Sequence, residues 1–255
     1  MGKYFEDIHA SCDSQVKNLP FAIADSSEIA ALRTTQEDGE QLIALGEALC
    51  KQLRYREAID CFTKALSYLP DDVRIYRKRA ARYLSSLQGA LAKADFLRCL
   101  DAGSDELDVC YRLGLCGYIQ QAYDEALQWF ERAYSISDEE MGIAIIYWHT
   151  LCCYRMGKQP TLLMKYHDAM KVGHHTAYEK AVQVCAGKLG AETALEEAAL
   201  EKDDMTFAII VYGIVRFLHE KGLHEQAQQW SDKLLARDSF WICYAYLAAK
   251  NDTMY

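Results

Sequence analysis

Residues 39–72 read GEQLIALGEALCKQLRYREAIDCFTKALSYLPDD, and the spacing of their apolar side chains decides the fold. Leu42, Leu45 and Leu49 form one stripe at helical spacing, and Ala58, Ile59, Phe62, Ala65 and Leu66 form a second. A polar turn separates the two and Pro70 stops the second. The stretch therefore predicts two short antiparallel helices. Gly46 and Ala58 lack bulk where these helices cross, Ala65 admits the helix that follows, and Tyr55 and Phe62 supply the large surfaces between them. One hairpin cannot bury both of its faces alone, so it must stack on copies of itself.

The copies are present. The next window of equal length, 73–106, places Ala80, Tyr83, Ala92, Phe96 and Cys99 where the first has Gly46, Leu49, Ala58, Phe62 and Ala65. The window after it, 107–140, places Leu113, Gly114, Tyr123, Ala126, Phe130 and Ala133 in the same register. In period and in this alternation of small and large residues the chain resembles the tetratricopeptide repeat family. That resemblance implies an all-α solenoid, an α/α superhelix of stacked helix hairpins, whose first helices line a concave groove.

Beyond Glu140 the phase slips by two residues. Ile146, Cys153, Gly157, Leu162, Tyr166 and Ala169 recover a fourth unit over 143–176, and 177–203 is a degenerate stretch with two helical patterns. A last unit covers 208–241, and a capping helix over 238–250, with Asp238 near its start, closes a repeat domain of 39–251. Residues 1–38 form a partly helical extension: an amphipathic segment at Tyr4 to His9, and a helix start at Ser26 followed by Ile29, Ala30 and Leu32. Ser137 and Glu140 have the spacing of a capping box for a long apolar helix from Met141 to Met156. That helix expects cover on more than one side.

A net charge of −9 argues against nucleic acid or an anionic membrane as partner. The longest apolar runs, at Ile143 to Cys153 and at Phe207 to Leu218 with Arg216 inside it, are too short for a membrane span. The ten cysteines lie largely in apolar helical stripes, and the start MGKYFEDIHA has no apolar leader core. Free thiols in a cytoplasmic protein are the expectation.

In HEKGLHE, His219 and His224 are five apart with Gly222 at a turn, so they are not expected to share a helix face. His167, His174 and His175 with Glu179 are expected to serve structural or surface roles rather than a metal. No paired Cys-x-x-Cys, phosphate loop or nucleophile elbow occurs. The reading is a chain that is not an enzyme, with no cofactor, metal or catalytic residue.

The resemblance assigns the working surface to the groove. It comprises Arg74, Arg77 and Lys78 in the second unit, and Asp108, Tyr111, Arg112, Leu115 and Tyr118 in the third. Tyrosines offer flat amphipathic anchors and arginines pair with carboxylates, which suits a peptide or helical segment carrying acidic and apolar side chains. The family's two-carboxylate clamp for chaperone termini is not matched: its positions hold Ile43, Glu47, Lys78 and Asp108, with only Arg112 in agreement. The expected function is a protein–protein interaction scaffold. Two alternatives stand beside it: a homo-oligomer joined through Phe240, Trp241, Tyr244 and Leu247 with the groove filled internally, or a ligand sensor or enzyme.

Overall fold

The structure, a computed structural model, describes residues 25–253. The expected segment at Tyr4 to His9 lies outside them. Among the described residues there are thirteen α-helices and no strand. They divide into two compact units, one ending at Asp105 and one running from Glu106 to Thr253.

The first unit holds α1 (Ser27–Thr34), α2 (Gly39–Lys51), α3 (Tyr55–Tyr68), α4 (Val73–Ser85) and α5 (Gly89–Asp101). Helices α2 and α3 pair as a hairpin, α4 and α5 as another, and α3 packs on α4. Asp38 and Asp72 cap α2 and α4 by accepting from the N–H groups of Gln41 and Arg74, at 2.8 and 2.9 Å. Ser26 caps α1 as its sequence suggested, accepting from the Ile29 N–H. The crossing of each hairpin depends on a small residue facing a phenyl ring. A Cβ at Gly46 would sit 2.5 Å from the Phe62 ring. Ala58, Ala65, Ala92 and Phe96 are fully buried, so the small and large positions read from the sequence are the places where helices touch.

The second unit holds α6 (Glu106–Ile119), α7 (Tyr123–Ser135), α8 (Glu139–Arg155), a 3-10 turn (Thr161–Lys165), α9 (Thr176–Cys185), α10 (Ala191–Ala199), α11 (Asp204–Glu220), α12 (His224–Leu235) and α13 (Tyr244–Asp252). Gly114 faces Phe130 as Gly46 faces Phe62, again at 2.5 Å from a built Cβ. Every residue of α8 from Gly142 to Cys153 is buried, because α7, α9 and α11 all pack on it. The fold class is thus the all-α solenoid of stacked hairpins.

Three details depart from the sequence reading. The cap of α8 is Asp138, which accepts from the Met141 N–H at 2.9 Å, while Ser137 donates to the Tyr134 carbonyl. A carboxylate one residue nearer the helix wins the N–H groups that a capping box would have used. The second helix expected around Leu162, Tyr166 and Ala169 is only the 3-10 turn. Pro160 ahead of it and Gly173 behind, at φ +53°, break the chain on both sides. The terminal helix begins at Tyr244, not at Asp238, after turns at 239–243.

One regularity was invisible in the residue types. Leu53, Leu87 and Gln121 all have φ +59°, the left-handed region. Each follows a first helix, and each lets the next N–H reach back into that helix: Arg54 to Leu49 O, Gln88 to Tyr83 O and Ala122 to Gly117 O. Helix ends of this kind ordinarily carry glycine.

Candidate functional site

In the first unit, the exposed face of α2 and α4 carries a ladder of opposite charges. Arg74 donates to Glu40 at 2.7 Å and to Asp72 at 2.6 Å, with Arg74 and Glu40 both more than half exposed. One turn on, Lys78 pairs with Glu47. Arg77 is exposed on the same helix. The hydrogen bonds it donates to Asp72 and Glu40 push the Arg74 guanidinium further up, so it stays charged throughout the working range.

The rest of the basic strip on α4 is used inside the unit. Arg79 grips Asp95 of α5 through two bonds, 2.7 and 2.9 Å, and Asp95 is buried. Arg82 lies 4.4 Å over the Tyr55 ring. Cys50, on α2, is pushed up to about 11 by burial and is an unreactive thiol at neutral pH.

In the second unit the corresponding face of α6 is already covered by the chain's own helices. Arg112 bonds Asp108 at 2.9 Å, one turn away on the same helix, and donates to the Tyr244 hydroxyl of α13, also at 2.9 Å. Asn251 of α13 donates to the Ile119 carbonyl at 3.0 Å. Tyr111 is tilted against Phe130, with ring centres 6.1 Å apart. Leu115 and Tyr118, expected on the exposed groove, are buried at 1% and 2%. The Tyr118 hydroxyl meets that of Tyr212 at 2.8 Å, and its ring sits edge-on to Trp148. These two positions present no open surface because α8, α11 and α13 lie where a solenoid of uniform repeats would leave a trough.

Beside this cover is a polar cavity of about 500 Å³ lined by Arg155, Tyr212, Arg216, His219 and Asp252, among others. Asp252 takes an ion pair from Arg155, a second from Arg216 at 3.6 Å, and a hydrogen bond from the Tyr212 hydroxyl at 3.1 Å. Burial raises the Asp252 carboxyl in spite of its arginines. The sequence reading missed this cluster. Its one signal was Arg216, a charge interrupting an apolar run, since a charge on a buried stripe requires a partner.

His219 and His224 share no helix face, as expected: one ends α11 and the other starts α12. They nevertheless meet, Nδ1 to Nδ1 at 3.1 Å, because Gly222 at φ +74° reverses the chain between them. His174 and His175 stand together but not with Glu179, which accepts from the Tyr166 hydroxyl. Their carboxylate neighbour is Glu140.

Models of the tetratricopeptide repeat match residues 39–72 and 78–140. Over these residues the chain carries tetratricopeptide repeats. A tetratricopeptide repeat protein from Parabacteroides merdae ATCC 43184 superposes at a TM-score of 0.57 with 17% identity, over 97% of this chain and 99% of that one. YrrB, a tetratricopeptide protein described as having an unusual peptide-binding site, aligns over 91% of this chain and all of its own at 16% identity. Its TM-score is 0.47. Tetratricopeptide hairpins generally mediate protein–protein interactions.

Proposed function

We propose that the protein is a non-catalytic scaffold that binds an acidic protein segment on the α2–α4 face of its first unit, through Arg74, Arg77 and Lys78. The observation that carries this reading is the exposed ladder of Arg74 with Glu40 and Lys78 with Glu47. Exposed ion pairs of this kind contribute about 0–1 kcal/mol each, so a partner's carboxylates can displace Glu40 and Glu47 at little cost. Asp108, Tyr111, Arg112, Leu115 and Tyr118 then serve the seating of α13 and the packing of α6 rather than a partner.

A second reading is favoured by one observation: the bonds from Arg112 to Tyr244 and from Asn251 to Ile119 seat α13 on α6, as an internal occupant of the second unit would be held. The homodimer version of that reading retains little surface. Trp241 and Leu247 are fully buried within the chain, and of the four residues Phe240 is the most open, at 40%.

Selection from a random peptide library separates these readings. The first expects enriched sequences rich in Asp and Glu, salt-sensitive binding, and loss of enrichment in the Arg74→Glu, Lys78→Glu double variant. Enrichment that survives the double charge reversal sinks the assignment to α4.

A further inference from the structure

Apart from the groove, the fold draws together side chains from two separate places in the sequence. Glu140 stands in the first turn of α8, and His174 and His175 lie in the loop that leads into α9. One ligand atom from each lies within 4.8 Å of the other two. Glu140 Oε1 is 2.5 Å from His174 Nδ1 and also accepts the His174 backbone N–H at 3.4 Å. The two imidazoles lie side by side, centres 4.3 Å apart and tilted by 36°.

Two further features mark this as a built cluster. His175 Nδ1 is shut away from solvent and has no hydrogen-bond partner, which is costly for a ring nitrogen unless something else satisfies it. Gly173 lies against the carboxylate: a Cβ there would stand 2.3 Å from Glu140 Oε1, so a side chain at 173 would push the carboxylate from its place, and the φ of +53° favours glycine there. The Lys171 N–H braces the same loop by donating to Glu139 Oε2 at 2.8 Å. The His174 side chain is 82% exposed, which leaves both room to rotate and a path for an ion.

We propose that Glu140, His174 and His175 bind a divalent transition-metal ion, Zn²⁺ foremost, with a further coordination position left open. Two imidazole nitrogens and one carboxylate oxygen suit zinc. Magnesium and calcium require a shell of oxygens that this cluster does not offer. The bound ion pins the loop at 171–175 to the first turn of α8.

The test is a zinc titration of the tag-free full chain against a chromophoric chelator, with cobalt absorption as a second readout. Saturation at about one ion per chain is expected. Glu140→Gln and His174→Ala are each expected to weaken binding by at least about tenfold and to change the cobalt spectrum. His174→Ala alters an exposed side chain, so its fold is preserved. His167→Ala, and the pair His219→Ala with His224→Ala, are expected to leave affinity unchanged; the pair removes the other close imidazoles. The proposal is overturned if no saturable binding occurs by about 1 mM zinc. It is equally overturned if binding persists in both Glu140→Gln and His174→Ala, or vanishes with His219 and His224.

Discussion

Gln121 is an exposed residue held at φ +59° at the end of α6, and Leu53 and Leu87 share its conformation. For a residue with a Cβ this region costs roughly 1–2 kcal/mol relative to the right-handed one, whereas glycine enters it freely. Part of that gain is lost because glycine makes the unfolded chain more mobile. Gln121→Gly is therefore expected to stabilise the protein by about 0.5–1 kcal/mol, read as a higher urea midpoint at unchanged slope. No change, or a loss, would mean that the glutamine side chain contributes more than its backbone costs. Nothing in the residue types at 53, 87 and 121 announces the turn, which is why the sequence reading saw only a polar break. The crossing of Gly46 with Phe62 was legible because there the chemistry, absence of bulk opposite a ring, is itself the cause of the geometry.

Between helices, the Arg79 to Asp95 contact joins α4 to α5 in a way the repeat pattern does not supply. Asp95 is buried, and both its oxygens accept from one guanidinium, whose protonated form this pairing strengthens. Removing the carboxylate leaves a largely buried cation without its partner, at a cost of about 3–5 kcal/mol. Asp95→Ala is thus expected to lower the urea midpoint sharply, while Arg79→Met with Asp95→Leu recovers much of the loss, a difference that a double-mutant cycle measures. A small effect of Asp95→Ala alone would show that the pair is well hydrated. From sequence, Arg79 was one of five basic residues on a helix, and only the facing helix distinguishes it from Arg74. The paired helices themselves were readable from α2 through α7, where the period holds. Reading failed at 156–175, where Leu162, Tyr166 and Ala169 keep helical spacing in a segment bounded by a proline and a left-handed glycine.

For the molecule as a whole, acid should be destabilising, and the imbalance lies in the second unit. His149, His175 and His219 are all displaced downward, chiefly by burial, and His219 falls to about 4 with Arg216 and His224 adding to the effect. In the unfolded chain these groups take up protons near the ordinary value of 6.5. The unfolded state then binds more protons between that value and the folded one, so stability is complete above about 6.5 and declines as pH falls toward 4. Urea midpoints in chelator-containing buffer are expected to drop from pH 7 to pH 5, and the drop should be shallower in His219→Gln. A flat profile would indicate that these imidazoles remain well solvated. At this scale the sequence revealed the class of fold and the paired hairpins. It did not reveal that α13 covers α6, because Tyr244 and Asn251 carry no sign of a partner more than a hundred positions away.

The shared left-handed conformation of Leu53 and Leu87 makes the stretch from 54 to 87 an exchangeable cassette. Cutting it out joins Leu53 directly to Gln88, an end and a beginning of matching geometry, so that α2 would hand over to α5 without remodelling the joint. The most costly misfit would be buried Asp95, deprived of its arginine, and Asp95→Cys, borrowing the residue found at Cys61 in the preceding copy, would relieve it.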